Sequence, residues 1–117
     1  MSIFREGLVN SAKDLITSKV CCLALSQFIN QEIDFLKMDI EAAENIVIAE
    51  LFEKNKLDLI KKMAIEYHHN INANKAKLSK FLSYLESGGF NYLISSYPYL
   101  AFPKDKYQSI LIYAYKR

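Results

Sequence analysis

The sequence predicts an α/β fold with one sheet, parallel where helices connect its strands and antiparallel at its closing pair. Short apolar runs alternate with segments in which apolar residues recur at helical spacing. After the second such segment, two runs rich in aromatic and branched residues follow with no helix between them. The resulting order is strand, helix, strand, helix, strand, strand, which is typical of a mixed sheet. A length of 117 residues with 51% hydrophobic content fits one globular domain.

The first half of this core has a clear strand and a clear helix. Residues 33–40 (IDFLKMDI) form a short apolar run, which predicts a strand. The segment that follows, 41–56 (EAAENIVIAELFEKNK), repeats Ala43, Val47 and Leu51 at helical spacing. A strand followed directly by a helix is therefore expected here.

The second half repeats this pattern and then closes the sheet. Residues 62–67 (KMAIEY) predict a strand, and residues 75–87 predict a helix that ends at Gly88 and Gly89, where a left-handed cap is expected. The apolar face of that helix carries Leu78, Phe81, Leu82 and Leu85. Residues 90–95 and 108–115 predict the last two strands.

The N-terminal residues are less clearly patterned. Residues 3–17 favour at most a weak helix, in which Leu8, Ala12 and Leu15 share a face. Residues 20–25 read as a short strand and residues 26–30 as a helical turn. We therefore expect residues 1–30 to be a weakly structured lead-in to a core at 31–117, the whole forming one domain.

Charge and hydropathy exclude two classes of function. The formal charge is +2 and the lysines are scattered, so the sequence gives no support for binding nucleic acid. Charged residues interrupt every apolar stretch before the ~20 residues that a membrane span needs. Arg5 and Glu6 stand where a signal peptide would be apolar. The expected location is the cytoplasm.

Polar residues cluster where the first two core strands end. Asp39 and Glu41 follow the first strand, while Glu66 and His68 end the second. Ligands of open α/β sheets bind beyond the carboxyl ends of the strands, and parallel neighbours lie about 4.8 Å apart. An alternative is structural: Asp39 pairs with Lys37 on one strand face, or Asp39 and Glu41 anchor the helix N-terminus.

The segment 36–44, LKMDIEAAE, resembles the K-x-D-x-E-G-x-E signature of FkbM-type S-adenosylmethionine-dependent methyltransferases. Three further segments resemble later parts of that family in the same order: MAIEYHH at 63–69, LESGGF at 85–90 and SILIYAYKR at 109–117. The resemblance covers residues 18–117. It implies a Rossmann-like methyltransferase sheet, truncated to its last four strands and closed by an antiparallel strand.

The family resemblance also implies a reaction, the O-methylation of a small-molecule or sugar hydroxyl with S-adenosylmethionine as cofactor. The sequence departs from the family at two places. Its glycines are Gly7, Gly88 and Gly89, so the glycine-rich cofactor turn has no counterpart, and Ala42 replaces the glycine of the signature. These departures predict a carboxyl-terminal fragment that is inactive in isolation. The alternative is a non-catalytic remnant or a small protein-interaction module.

By the same resemblance, Asp39 and Glu41 are the predicted cofactor-binding residues, and His68, Asp39 and Glu66 are the predicted catalytic residues. His68 would take the proton of the acceptor hydroxyl, and Glu66, on the same strand face, would raise its basicity. Glu44 is expected mainly to favour the helix N-terminus. The alternative is that residues 67–69 merely begin an exposed loop. We predict no metal site, because adjacent histidines rarely converge on one ion.

The predicted partners follow from the same interpretation. A methyltransferase of this type acts on a small-molecule acceptor. The strand at 33–40 would lack the neighbour that carries the family's cofactor turn, and a bare edge strand offers unpaired backbone groups. Residues 20–25 could pair along that edge. Otherwise we expect self-association, or a partner chain that supplies the missing half.

Overall fold

A computed structural model describes residues 2–6, 16–69, 77–96 and 108–117. Two α-helices and six strands, with short 3₁₀ turns at Leu25–Phe28 and Leu57–Leu59, make up this part of the chain. In chain order the elements are β1 (Ser2–Glu6), β2 (Thr17–Cys21), β3 (Ile33–Met38), α1 (Glu44–Glu53), β4 (Ile60–His69), α2 (Leu78–Ser87), β5 (Phe90–Ser96) and β6 (Gln108–Lys116).

The main sheet has four strands in the order β3-β4-β6-β5. β3 pairs with β4 in parallel, with Leu36 opposite Met63, and β6 runs antiparallel to both β4 and β5. This confirms the predicted mixed α/β sheet with an antiparallel closing strand. Among the described strands β3 has a neighbour on one side only, so it forms one edge of the sheet.

Both helices pack on the same face of this sheet and contact each other. Ile48 and Leu51 of α1 and Phe81 and Leu85 of α2 are fully buried. They pack on alternate residues of the two central strands, whose side chains all point to that face: Met63, Ile65, Tyr67, Ile110, Ile112 and Ala114. Burying one such aliphatic or aromatic side chain contributes about 1.5–3 kcal/mol, so these contacts between the helices and one side of the sheet are a main source of stability.

The opposite face of the sheet is exposed. Phe35 on β3, Leu93 on β5 and Tyr113 on β6 are 58%, 63% and 47% exposed, and neither α1 nor α2 reaches them. A parallel pair of strands is normally covered on both faces. The described helices cover one face only, which leaves a second apolar surface in contact with solvent.

The structure of the N-terminal residues differs from the one predicted. Residues 2–6 form β1 and pair antiparallel with β2, so the weak helix expected over 3–17 is wrong at both of its ends. Two short extended segments satisfy each other's backbone hydrogen bonds, which outweighs a faint helical pattern. Residues 7–15, the middle of that predicted helix, lie outside the described residues. The strand predicted at 20–25 is instead β2 and pairs with β1, not with the edge of β3.

The core boundaries match the predictions with small shifts. β3 ends at Met38 rather than residue 40, because residues 39–43 form a turn before α1 begins at Glu44. β4 extends over 10 residues and passes beyond the end of β3. α2 ends where Gly88 and Gly89 were expected to stop it, and Gly89 has a positive φ of 86°.

No helix in the described ranges is long and apolar enough to cross a membrane.

Candidate functional site

The turn between β3 and α1 builds the site. The amide of Ala43 donates a hydrogen bond to the carbonyl of Ile40 over 3.3 Å, and the two central residues, Glu41 and Ala42, have φ values of 50° and 77°. Positive φ at both central positions is the geometry of a type I′ turn, which favours glycine or asparagine. Ala42 occupies the position of the signature glycine, so the signature glycine would relieve backbone strain here.

This turn brings two carboxylates to the end of β4. His68 Nε2 lies 3.9 Å from Asp39 Oδ1 and 3.7 Å from Glu41 Oε2. The His68 side chain is 2% exposed, whereas those of Asp39 and Glu41 are 41% and 64% exposed. The imidazole is therefore buried beneath two carboxylates that are open to solvent.

Glu44 holds the other side of the imidazole. Its Oε1 accepts a hydrogen bond from His68 Nδ1, and both side chains are almost completely buried. With Nδ1 donating to Glu44, Nε2 is the atom that faces Asp39 and Glu41. The sequence predicted mainly that Glu44 favours the helix N-terminus. The sequence feature that could have predicted this role is the last glutamate of the LKMDIEAAE segment. This residue begins α1 and therefore lies beside the end of β4.

The surrounding charges set the pKa of His68. Burial by itself lowers the pKa of the imidazole, but the hydrogen bond that His68 donates to Glu44 and the negative charges of Glu44, Glu41 and Glu66 outweigh this effect. The net result is a pKa raised above the usual 6.5. His68 is thus a stronger base than a free imidazole.

Glu66 lies on the same face of β4 as His68 but has a different direct partner. Its Oε1 accepts a hydrogen bond of 2.9 Å from the Ser109 hydroxyl on β6. It also lines a cavity of about 220 Å³ together with Lys37 and Tyr113. Glu66 therefore acts on His68 through charge, while direct contact with the ring comes from Glu44.

The sequence left three structural alternatives for these residues. Tyr67 and His68 are buried within β4, so the idea that residues 67–69 begin an exposed loop is wrong. Lys37 is exposed, and among the described residues no ion pair joins it to Asp39, which faces His68 instead. Asp39 and Glu41 do flank the start of α1, but neither caps it through a side-chain hydrogen bond.

Tyr67 fixes the position of α1 relative to the site. Its hydroxyl donates a hydrogen bond of 2.6 Å to Asn45 Oδ1, and Asn45 Nδ2 donates one of 3.1 Å to the carbonyl of Lys77. Burial, followed by the nearby charge of Glu44, raises the pKa of Tyr67 to about 12, so the phenol stays protonated and remains a donor. The Tyr67 ring packs 4.9 Å from that of Phe81. Because Asn45 follows Glu44 directly, its hydrogen bonds to Tyr67 and Lys77 also hold Glu44 in place.

The donor atoms of Asp39, Glu41 and His68 lie within 4.8 Å of one another, close enough to surround one divalent cation. The carboxylates can equally accept hydrogen bonds from hydroxyl groups of a bound molecule. For S-adenosylmethionine the fit is partial. In the described ranges Gly88 and Gly89 lie at the opposite end of the sheet, where Lys116 Nζ donates to the Gly88 carbonyl, so they cannot cradle a nucleoside beside His68.

Most of the chain, including this site, matches a known protein family. The family model described as the Methyltransferase FkbM domain matches residues 2–92 of the chain. The matched segment includes the turn at 41–42, Glu44 and His68, and it begins earlier than the resemblance at 18–117 suggested. It ends within β5, before β6. Neither the curated proteins nor the solved structures include a significant match to this chain.

Proposed function

The chain belongs to the FkbM methyltransferase family, and on that premise we propose that its Asp39–Glu41–His68 edge is the acceptor side of an S-adenosylmethionine-dependent O-methyltransferase. The acceptor class is a hydroxyl group on a small molecule or sugar. The observation that carries the proposal is the pairing of His68 with buried Glu44, which directs Nε2 toward the exposed carboxylates.

The proposed chemistry uses the residues of this edge. Asp39 and Glu41 hold the acceptor by accepting hydrogen bonds from its hydroxyl groups. Neutral His68 takes the proton of the reacting hydroxyl on Nε2, while Glu44 keeps the proton on Nδ1 and stabilises the imidazolium that forms. Glu66 adds negative charge that favours the same protonated state. S-adenosylmethionine, when bound, supplies the methyl group.

Asp39 and Glu41 are also the proposed contacts of this chain to the cofactor, so cofactor binding is the first test. The glycine-rich turn has no counterpart in this sequence, but Asp39 and Glu41 are present. Isothermal titration calorimetry of the purified chain with S-adenosylmethionine should therefore still give binding, and Asp39→Asn should weaken it. Glu53→Gln, at the exposed end of α1, is the matched control and should leave it unchanged. A folded wild-type chain that gives no heat of binding would contradict the proposal and leave the non-catalytic remnant or interaction module.

The second test separates His68 from its neighbour. If the chain binds the cofactor, transfer of a radiolabelled methyl group to a panel of sugars and hydroxylated small molecules should fall about 10²–10⁴-fold in His68→Gln, the usual contribution of a general base. His69→Gln changes the adjacent histidine and should retain transfer. Equal transfer by both variants would show that His68 is not the base.

A further inference from the structure

A buried imidazole faces two exposed carboxylates where β3 and β4 end. His68 Nε2 lies 3.9 Å from Asp39 Oδ1 and 3.7 Å from Glu41 Oε2, and the donor atoms of the three residues all lie within 4.8 Å of one another. Ligand atoms about 2.1 Å from a tetrahedral metal ion lie about 3.4 Å apart. The two distances from the imidazole exceed this value by no more than about 0.5 Å, which carboxylates on exposed side chains can close.

Glu44 presents Nε2 as the coordinating atom. Glu44 Oε1 accepts a hydrogen bond from His68 Nδ1, and each of the two side chains is 2% exposed. The neutral ring therefore keeps its proton on Nδ1 and its lone pair on Nε2, the side that faces Asp39 and Glu41. Metal-bound histidines usually donate their second ring N–H to a carboxylate in this way, which fixes the ring and strengthens the ligand. A group of surface carboxylates alone would not supply such an oriented nitrogen.

The charges around the imidazole are predominantly negative. Four carboxylates lie near His68, those of Asp39, Glu41, Glu44 and Glu66. Among the described residues no lysine or arginine forms an ion pair with any of the four. A divalent cation between Asp39 and Glu41 would balance their two charges, and the attraction is stronger beside a buried ring than in open water.

The kinds of donor atom select the class of metal. One imidazole nitrogen with carboxylate oxygens suits Zn²⁺ and neighbouring transition metals, whereas Mg²⁺ and Ca²⁺ prefer oxygen ligands throughout. No metal site was predicted from the sequence, because adjacent histidines rarely converge on one ion. The structure requires only one of them here. His69 projects to the opposite face of β4, where its ring centroid lies 6.5 Å from that of Tyr67.

We propose that Asp39, Glu41 and His68 Nε2 bind one divalent transition-metal ion of the zinc class, with Glu44 as the positioning residue. Water fills the remaining coordination positions, and a proton present on Nε2 is released when the metal binds. The metal and the reacting hydroxyl need the same nitrogen, so bound Zn²⁺ inhibits methyl transfer. This inhibition rests on the proposed function, whereas metal binding itself does not.

Isothermal titration calorimetry of the chelator-treated full chain with zinc chloride tests the binding. We expect one Zn²⁺ per chain, and no binding of Mg²⁺ at the same concentration. His68→Gln and Glu41→Gln should each weaken the affinity at least about tenfold, and Glu44→Gln about 10–100-fold, the usual effect of removing such a partner. Glu53→Gln and His69→Gln are the matched controls and should keep the wild-type affinity.

Two further measurements identify the ligands. Cysteine thiolates also bind zinc, and Cys21 is exposed and Cys22 half-buried, so the titration is repeated in the double variant Cys21→Ser/Cys22→Ser, which should retain the site. Nuclear magnetic resonance with Co²⁺ should show larger paramagnetic shifts for the ring protons of His68 than for those of His69. Circular dichroism establishes that each variant is folded, and if Glu44→Gln unfolds the chain, Glu41→Gln on an exposed side chain decides the test.

Three outcomes would overturn the metal site: no zinc binding to folded wild type, binding that disappears with the two cysteines, or equal affinity in His68→Gln. None of them bears on methyl transfer. If transfer occurs, Zn²⁺ should inhibit it and a chelator should restore it, and full activity in zinc-saturated wild type would overturn the inhibition. Zinc binding by a chain that does not bind S-adenosylmethionine would support the metal site and contradict only the proposed function.

Discussion

Glu44 and His68 are separated by 24 residues in sequence, yet Glu44 Oε1 and His68 Nδ1 share a buried hydrogen bond. The contact joins the first residue of α1 to the end of β4. A buried carboxylate beside a buried imidazole is stable only because each satisfies the other. This pair therefore belongs both to the fold and to the candidate site.

Replacing Glu44 by glutamine should lower the pKa of His68. Glutamine keeps an oxygen that can accept the Nδ1 proton but removes the negative charge that favours the imidazolium. Nuclear magnetic resonance of the His68 ring protons as a function of pH measures the change. Glu53→Gln, at the other end of the same helix, should leave the titration unchanged. A pKa that does not fall in Glu44→Gln would mean that the pair does not control the imidazole.

Replacing Glu44 by alanine should cost more stability than replacing it by glutamine. The alanine variant leaves the His68 ring buried without this partner, which typically costs about 1–3 kcal/mol. Urea denaturation measures the free energy of unfolding of both variants. Equal losses would indicate that the hydrogen bond contributes little to folding.

The raised pKa of His68 predicts that stability decreases with rising pH. Folding favours the protonated imidazole, so its contribution is fully present below the unfolded-state pKa of about 6.5 and is lost as the pH rises through the higher folded-state value. The groups that act on the ring are Glu44 from α1, Asp39 and Glu41 from the turn, and Glu66 from β4. Urea denaturation from about pH 6 upward should show the decrease in wild type and not in His68→Gln.

Sequence patterns predicted the core of this fold but not its central contact. The short apolar run KMAIEY predicted a strand at 62–67, and β4 contains these residues. Asp39, Glu41 and His68 were also expected at one edge, since parallel strands end together. The contact between Glu44 and His68 depends on how far β4 extends past β3 and on the turn at 41–42, and neither is encoded by local spacing. The helix predicted from the faint pattern at 3–17 was wrong because antiparallel pairing of β1 with β2 decided the structure of its ends.

Ala42→Gly should stabilise the protein. Ala42 has a φ of 77°, a conformation that costs a non-glycine residue about 1–2 kcal/mol, while the greater flexibility of glycine in the unfolded chain offsets about 0.4–1 kcal/mol. The expected net gain in the free energy of unfolding is therefore between zero and about 1.6 kcal/mol. Ala49→Gly is the opposite control, because glycine within α1 should cost about 1 kcal/mol. A loss of stability in Ala42→Gly would contradict the strain assigned to this turn.

The edge of β3 should mediate self-association. Among the described strands β3 pairs only with β4, and its outer backbone groups can add a strand from a second chain. Light scattering at micromolar concentration should detect the association, and hydrogen exchange of the Ile33–Met38 amides should slow as concentration increases. The other edge strand, β5, is the internal comparison, and its amides should not respond. Tyr113→Asp should leave this association intact because residue 113 projects from the face rather than the edge. A monomer at every concentration, with Ile33–Met38 amides that exchange rapidly, would exclude association through β3 and leave this edge to be covered by a partner chain.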